Sequence, residues 1–141
     1  MRKYGISFYA YNPLAGGLLT GKLLDPNQNV EEGSRFDPNR VQGKGYRTRY
    51  FNDAYFNGIN QFTSIAKNNN LTPAETALRY LNHHSQLKKE NNDAIIIGGS
   101  NIHHIEQNLD DLEKGPLPQN VVDEINNLWP TLKPFANSYY R

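Results

Sequence analysis

The chain has no cysteine, one methionine and one tryptophan among its 141 residues. Without cysteine it can build neither a disulfide framework nor a thiolate metal site. It also lacks an excess of charge of either sign: 15 Lys and Arg stand against 14 Asp and Glu, a formal net charge of +1. A broad basic field for phosphate backbones is therefore missing, and nucleic-acid binding is not expected. No apolar run approaches membrane-spanning length, so no membrane span is expected, and no internal repeat is visible. The opening Met1-Arg2-Lys3 leads into Tyr4-Gly5 and not into an apolar signal region, which makes a soluble cytoplasmic location the expectation. What is present, 37% apolar and 21% charged residues, suits one soluble domain with a core.

The chain is organised around residues 5–22. Ile6, Phe8 and Ala10 alternate with Ser7, Tyr9 and Tyr11, the period of a strand. Asn12-Pro13 ends it, and a loop carrying Gly16, Gly17 and Gly21 follows. Glycines let backbone N–H groups approach a ligand closely, so this stretch reads as one wall of a phosphate-bearing cofactor site; the plain alternative is a glycine-rich surface turn. Gly16-x-x-x-x-Gly21-Lys22 also matches most of a triphosphatase phosphate loop, but that loop needs Ser or Thr next, followed by a helix. Leu23 stands there, and Asp25-Pro26 follows within a turn.

Residues 23–50 read as a long irregular connection with turn signals at 25–27, 31–34, 37–39 and 43–45. Arg35, Arg40, Arg47 and Arg49 are interleaved there with Phe36, Tyr46, Tyr50 and Phe51. Such a loop suits an anionic ligand, because each guanidinium offers a fixed fork of donors; a solvated basic loop is the alternative. From Asp53 the period becomes helical, with Tyr55, Ile59, Phe62 and Ala66 on one face and Asn52 or Asp53 as cap. Thr72, Pro73 and Glu75 then form a capping-box start. Ala74, Ala77, Leu78 and Leu81 make a narrow stripe expected to pack on a sheet. His83 and His84 close that helix, where a partly protonated imidazole is favourable; adjacent on a helix, they point too far apart for joint metal ligation.

Residues 94–97 form a continuous apolar run expected of a strand buried on both faces in a parallel sheet. Gly98-Gly99-Ser100-Asn101 follows, with a hydroxyl cap, and then a helix whose apolar stripe is Ile102, Ile105, Leu109 and Leu112. Strand, glycines, cap and helix together offer N–H groups and a positive dipole end to an anion, although a plain tight turn looks similar. Gly115-Pro116 closes this helix. Pro118 begins another with Val121 or Val122, Ile125, Leu128 and Trp129 inward, and Pro130 is expected to end it. The tail carries Phe135, Tyr139, Tyr140 and Arg141, either frayed or folded back over a pocket.

Three stretches carry a resemblance: Tyr11-Asn12-Pro13-Leu14-Ala15-Gly16-Gly17-Leu18-Leu19-Thr20-Gly21-Lys22, the Gly-Gly-Ser-Asn turn with Ile105-Glu106-Gln107-Asn108, and the ending Tyr139-Tyr140-Arg141. Together they resemble the C-terminal half of an aldo-keto reductase, nearest the aflatoxin B1 aldehyde and succinic semialdehyde reductases. The resemblance implies an α/β fold, the C-terminal portion of a (β/α)8 TIM barrel that is incomplete here. Residues 1–22 would hold strand seven and the cofactor loop, 23–50 the long loop, 51–93 helices, 94–114 strand eight and its helix, and 115–141 the last helix and tail.

The implied cofactor is NADPH. Tyr11 would stack on the nicotinamide, Asn12, Leu14, Gly16 and Lys22 would lie around the pyrophosphate, and Arg35 near the adenosine phosphates. Gly98, Ser100, His104, Gln107 and Asn108 would hold the adenosine end, and Tyr46, Arg49 and Arg141 the substrate, a small aldehyde, with Arg141 pairing its carboxylate. Gly98 and His104 stand where many relatives carry basic residues toward the 2′-phosphate, a loss Arg35 would offset. The family's catalytic Asp, Tyr, Lys and His lie on early strands to which no segment here corresponds, so the chain alone is expected to be inactive. A complementary N-terminal half or a homodimer is the expected partner. A cofactor-binding regulatory module and a nonfunctional truncated remnant are the other readings.

Overall fold

The computed structural model describes residues 2–136. In chain order it comprises β1 (Tyr9–Tyr11), a kinked pair of 3-10 turns (Ala15–Thr20), α1 (Val41–Tyr50), α2 (Asp53–Asn68), α3 (Pro73–His84), β2 (Ala94–Ile96), α4 (Ile102–Glu113) and α5 (Gln119–Leu132). The strands pair in parallel, Tyr9 opposite Ala94 and Tyr11 opposite Ile96. A parallel pair needs a long crossover, and α1 to α3 supply it. Both strands therefore end at the same edge, and both glycine-bearing loops leave from that edge.

Asp93 fixes the register of the pair. Its Oδ1 accepts from the Phe8 N–H (2.7 Å) and from Arg2 (2.8 Å), and its Oδ2 from the Lys88 N–H (2.8 Å). The Arg2 guanidinium, followed by these two amides, holds its carboxyl well below the usual carboxylate range. The expected burial of the second strand on both faces does not hold. Ala94 is exposed, Ile96 is 50% exposed, and Ile95 and Ile97 are only half-buried. Two strands form the whole sheet among the described residues, so the side chains of β1 and β2 lack the neighbours that a covered parallel sheet supplies.

The core lies in the helices. Phe62 and Ile65 of α2, Ala77 of α3, Leu117, and Val121, Val122 and Leu128 of α5 form one buried cluster. Leu18, Leu23, Phe36, Phe56 and Ile59 form a second, under the loop segments. Asn52 caps α2, accepting from the Tyr55 N–H (2.9 Å), and Thr72 caps α3, accepting from the Glu75 N–H (3.1 Å). The second half of the expected capping box is replaced: Glu75 pairs with Arg79 (2.7 Å) and Lys114 (3.1 Å). Burial opposes its ionisation, and these two cations outweigh it, leaving its pKa lowered.

Four sequence expectations are corrected. Residues 41–50 are helical, not irregular. The α3 stripe packs on α4 and α2, not on the sheet. In α4 the expected stripe is rolled outward: Ile102 is 64% and Leu109 48% exposed, while Asn108 and Asp111 are buried. Asn108 donates to the Gly98 carbonyl (3.2 Å), and Asp111 accepts from Lys114 (2.9 Å), which also bridges to Glu75; these polar ties to neighbouring segments set the roll. Finally, α5 runs through Pro130 to Leu132, and Trp129 is exposed. A proline this close to a helix end disturbs few ladder bonds.

His84 departs from the expected partly protonated state. Its Nε2 accepts from the Leu117 N–H (2.9 Å), so that nitrogen carries no proton. Burial first, then the nearby His83 and Arg79 charges, hold its pKa below the ordinary value. The folded state thus binds this proton less readily than the unfolded chain. Its stabilisation is complete above the unfolded value, about 6.5, and is lost as pH falls through the folded one. Thermal melts should show the unfolding temperature dropping as pH is lowered from about 7 to about 5, and His84→Gln, whose side-chain oxygen can still accept from Leu117, should flatten that slope.

Candidate functional site

The loop after β1 is shaped from within. Asn12 (φ 59°), Ala15 (φ 50°), Gly16 (φ 70°) and Gly17 (φ 101°) all adopt left-handed conformations. Asn12 tolerates this better than most side chains, and its Oδ1 accepts from the Gly16 N–H (2.7 Å). The Ala15 N–H goes to the Asn12 carbonyl (2.9 Å) and that of Gly17 to the Leu14 carbonyl (2.9 Å). The expected free amides of Ala15, Gly16 and Gly17 are therefore already paired inside the loop. Gly16 is needed for a different reason: a Cβ there would lie 2.4 Å from the Tyr46 ring.

Tyr46 belongs to a cation and aromatic stack on α1. Residues three and four apart share a helix face, so Tyr46, Arg49 and Tyr50 come together. The Arg49 guanidinium lies 5.9 Å from the Tyr46 centroid and 5.8 Å from that of Tyr50, and the Arg35 guanidinium 5.9 Å from that of Tyr46, within cation–π range. Tyr46 and Tyr50 are 5.9 Å apart, and Phe36 packs edge-on to Tyr46 at 5.7 Å. The neighbouring Tyr50, followed by Tyr11 and Tyr46, raises the Arg49 pKa. Asn12 Nδ2 donates to the Tyr50 hydroxyl (3.4 Å), which joins α1 to the β1 exit. Tyr11, Asn12, Gly16, Arg35, Tyr46 and Arg49 are thus one group in space.

Asp37 supports this group. It is buried, its two oxygens accept from the Gly33 N–H (2.8 Å) and the Asn39 N–H (2.9 Å), and these bonds lower its pKa. Arg47 donates to the Phe36 carbonyl (2.7 Å) and lies 4.4 Å over the Phe51 ring, so of the four loop arginines it is engaged in structure. Arg40 donates to the Gly33 carbonyl (2.8 Å).

The second exit forms a separate group. The helix cap is Asn101, not the hydroxyl of Ser100: its Oδ1 accepts from the His104 N–H (3.0 Å). Ser100 Oγ instead meets His104 Nδ1 at 3.1 Å. Asn108 is buried with its amide on Gly98, and Gln107 donates to Asp111 (3.2 Å), so both hold the turn and the helix. A Cβ at Gly98 or Gly17 would meet nothing within 4 Å, so both exits border open space at the same sheet edge. Leu14 is half-buried against the core, Lys22 is exposed and forms no ion pair among the described residues, and Arg141 lies outside them. A cleft of about 450 Å³ elsewhere is lined by residues 26–30, Glu32, residues 37–39 and Arg47, and of the four loop arginines it includes Arg47 alone.

Asp37 and Gly43 were missed as site-building residues, and Phe36 and Tyr50 were read only as part of an irregular aromatic and arginine-rich loop. The i, i+4 spacing of Tyr46 and Tyr50 was the available signal, obscured by Gly43 and Gly45, which argue against a helix.

The parallel strand pair with its glycine-bearing exits and the helices between and after the strands make this an α/β chain. The aldo/keto reductase family model matches residues 1–130, and the chain belongs to that family. It is 39% identical over 140 residues to an aldo-keto reductase of Pseudocercospora fijiensis, covering 99% of this chain and 47% of that protein. It is 40% identical over 147 residues to aflatoxin B1 aldehyde reductase member 2 of Rattus norvegicus, covering 100% of this chain and 40% of that protein. With human aldo-keto reductase family 7 member A3 it shares 39% over 146 residues, covering 100% of this chain and 44% of that protein. The chain therefore spans less than half the length of these relatives. No helix among the described residues is long and apolar enough to cross a membrane.

Proposed function

We propose that the chain is the C-terminal, cofactor-cradling portion of a cytoplasmic NADPH-dependent aldehyde reductase, with β1 and β2 as strands seven and eight of a (β/α)8 barrel. The observation that carries this is the shared edge: parallel pairing of Tyr11 with Ile96 sends both glycine exits to one side, where the Arg35, Tyr46, Arg49 stack also reaches the β1 exit. The residues fit the dinucleotide. Tyr11, 67% exposed at the strand end, offers a ring face for stacking. Arg35 supplies charge for phosphate, and the Gly17 and Gly98 positions leave room for close approach. Because the loop amides are paired internally, phosphate recognition here rests on Arg35, Lys22 and the open first turn of α4 more than on the glycine N–H groups.

The dinucleotide supplies a hydride when bound. Arg49, stacked against the Tyr46 and Tyr50 rings, pairs a substrate carboxylate and so orients a small aldehyde. The proton donor for the carbonyl must come from strands that precede this segment in the longer relatives, and the open edges of β1 and β2 are where further strands pair. The test is to join the chain to the N-terminal portion of a full-length relative and follow aldehyde-dependent NADPH oxidation. Turnover is expected from the joined protein and none from the chain alone. A joined protein that folds and holds NADPH but reduces no aldehyde overturns the enzymatic reading, leaving a cofactor-binding module.

A further inference from the structure

We propose that Tyr46 is a positioning residue, the common platform that aims Arg35 at the phosphate end of the dinucleotide and Arg49 at the carboxylate of the substrate; this rests on the function proposed above. Arg49 stands on the next turn of α1, Arg35 comes from the segment before that helix, and each guanidinium lies 5.9 Å from the same ring centroid, within cation–π range. A stacked guanidinium uses its flat face and keeps its N–H edge for an anion. Neither arginine forms an ion pair among the described residues, which leaves both charges to be met by an added anion. Arg40 and Arg47, by contrast, donate to the Gly33 and Phe36 carbonyls.

The ring itself is held in place. It lies against Gly16, where an added methyl would collide with its Cδ1 and Cε1 and would also touch Cβ of Arg35. Phe36, 5% exposed, packs edge-on to it at 5.7 Å, and Tyr50 lies 5.9 Å away. Two like charges beside one ring repel each other; the attraction of each to the ring is what holds them there before an anion arrives. Tyr46 therefore orders both forks in advance. Its loss should weaken phosphate and carboxylate binding together, which the loss of a residue touching the substrate alone would not do.

The chain is followed by NMR through its arginine Nε–H and tyrosine ring signals while NADPH, and separately succinate as the carboxylate probe, is added. NADPH should move the Arg35 signal, succinate the Arg49 signal, and both should move those of the Tyr46 ring. Tyr46→Leu removes the platform and should weaken each probe by about two- to five-fold; Tyr46→Phe keeps the ring and should recover both affinities. A ring that only fills space would give a shift in melting temperature with leucine and no loss common to the two probes. Tyr46 signals that answer to one probe alone, a Tyr46→Leu chain that binds both as wild type does, or Tyr46→Phe as weak as Tyr46→Leu overturns the platform and leaves the proposed function standing. Wild type that binds neither probe overturns both, and the wild-type spectra decide even where Tyr46→Leu does not fold.

Discussion

Truncating Phe62 to alanine is expected to destabilise the chain by about 3–5 kcal/mol. Phe62 is 7% exposed and sits in the cluster that joins α2 to α5, among Ile65, Ala77, Leu117, Val121, Val122 and Leu128. Those neighbours come from three helices and the α4–α5 link, so no single one can shift to fill the space, and the cavity term adds to the lost burial. Against a total stability of about 5–15 kcal/mol for ordinary domains, that is a large share. Urea denaturation followed through Trp129, the single tryptophan, should show the midpoint lowered by more than about 1 M. Val41→Ala, at a side chain 89% exposed, should change it little. A small effect at Phe62 would place the stabilising core elsewhere.

The helices that carry this core were legible because their signals are local. Asn52 and Thr72 cap as their side-chain chemistry demands, and Phe62, Ala66 and Val121 fall inward at helical spacing. The failures have one physical origin: a partner remote in sequence decided the outcome. Leu109 belongs to a regular apolar stripe, yet Asn108 and Asp111 turn inward because Gly98 and Lys114 await them. Residues 94–97 have the composition of a doubly covered strand, but coverage is a property of neighbours, and β2 has only β1 beside it among the described residues. His84 sits at a helix end that favours its charged form, and burial, then the neighbouring His83 and Arg79, reverse the preference.

The site was legible in composition more than in geometry. Arginines and aromatics between 35 and 51 were read as suiting an anion, and of these Arg35, Tyr46 and Arg49 stack together beside the β1 exit. The glycines were read for the wrong donor. Their N–H groups close the loop on Asn12 and Leu14, and what Gly16 provides is room for the Tyr46 ring. No spacing rule reveals that a ring 30 positions away will lie over a glycine.

Gly43→Ala should dismantle this stack while sparing the α2–α5 core. A Cβ at Gly43 would sit 1.8 Å from the Asp37 carbonyl oxygen and 2.6 Å from its carbon, and both are backbone, so no rotamer change relieves the clash. Asp37 itself cannot yield, being buried and bonded to Gly33 and Asn39. The remaining adjustment is for α1 to move away, which separates Tyr46 from Phe36 and Gly16 and weakens the Tyr50 to Asn12 link. Overpacking of this kind costs about 1–3 kcal/mol, concentrated in one helix. Circular dichroism in the aromatic region should lose most of its tyrosine signal, and protease should cut within 41–50, while Trp129 emission still reports cooperative unfolding. NADPH affinity should fall with the stack, since Arg35 and Gly16 lose the ring between them. If the aromatic signal and the affinity both survive the added methyl, α1 is not what shapes the ligand-facing surface, and the site must be rebuilt from the strand exits alone.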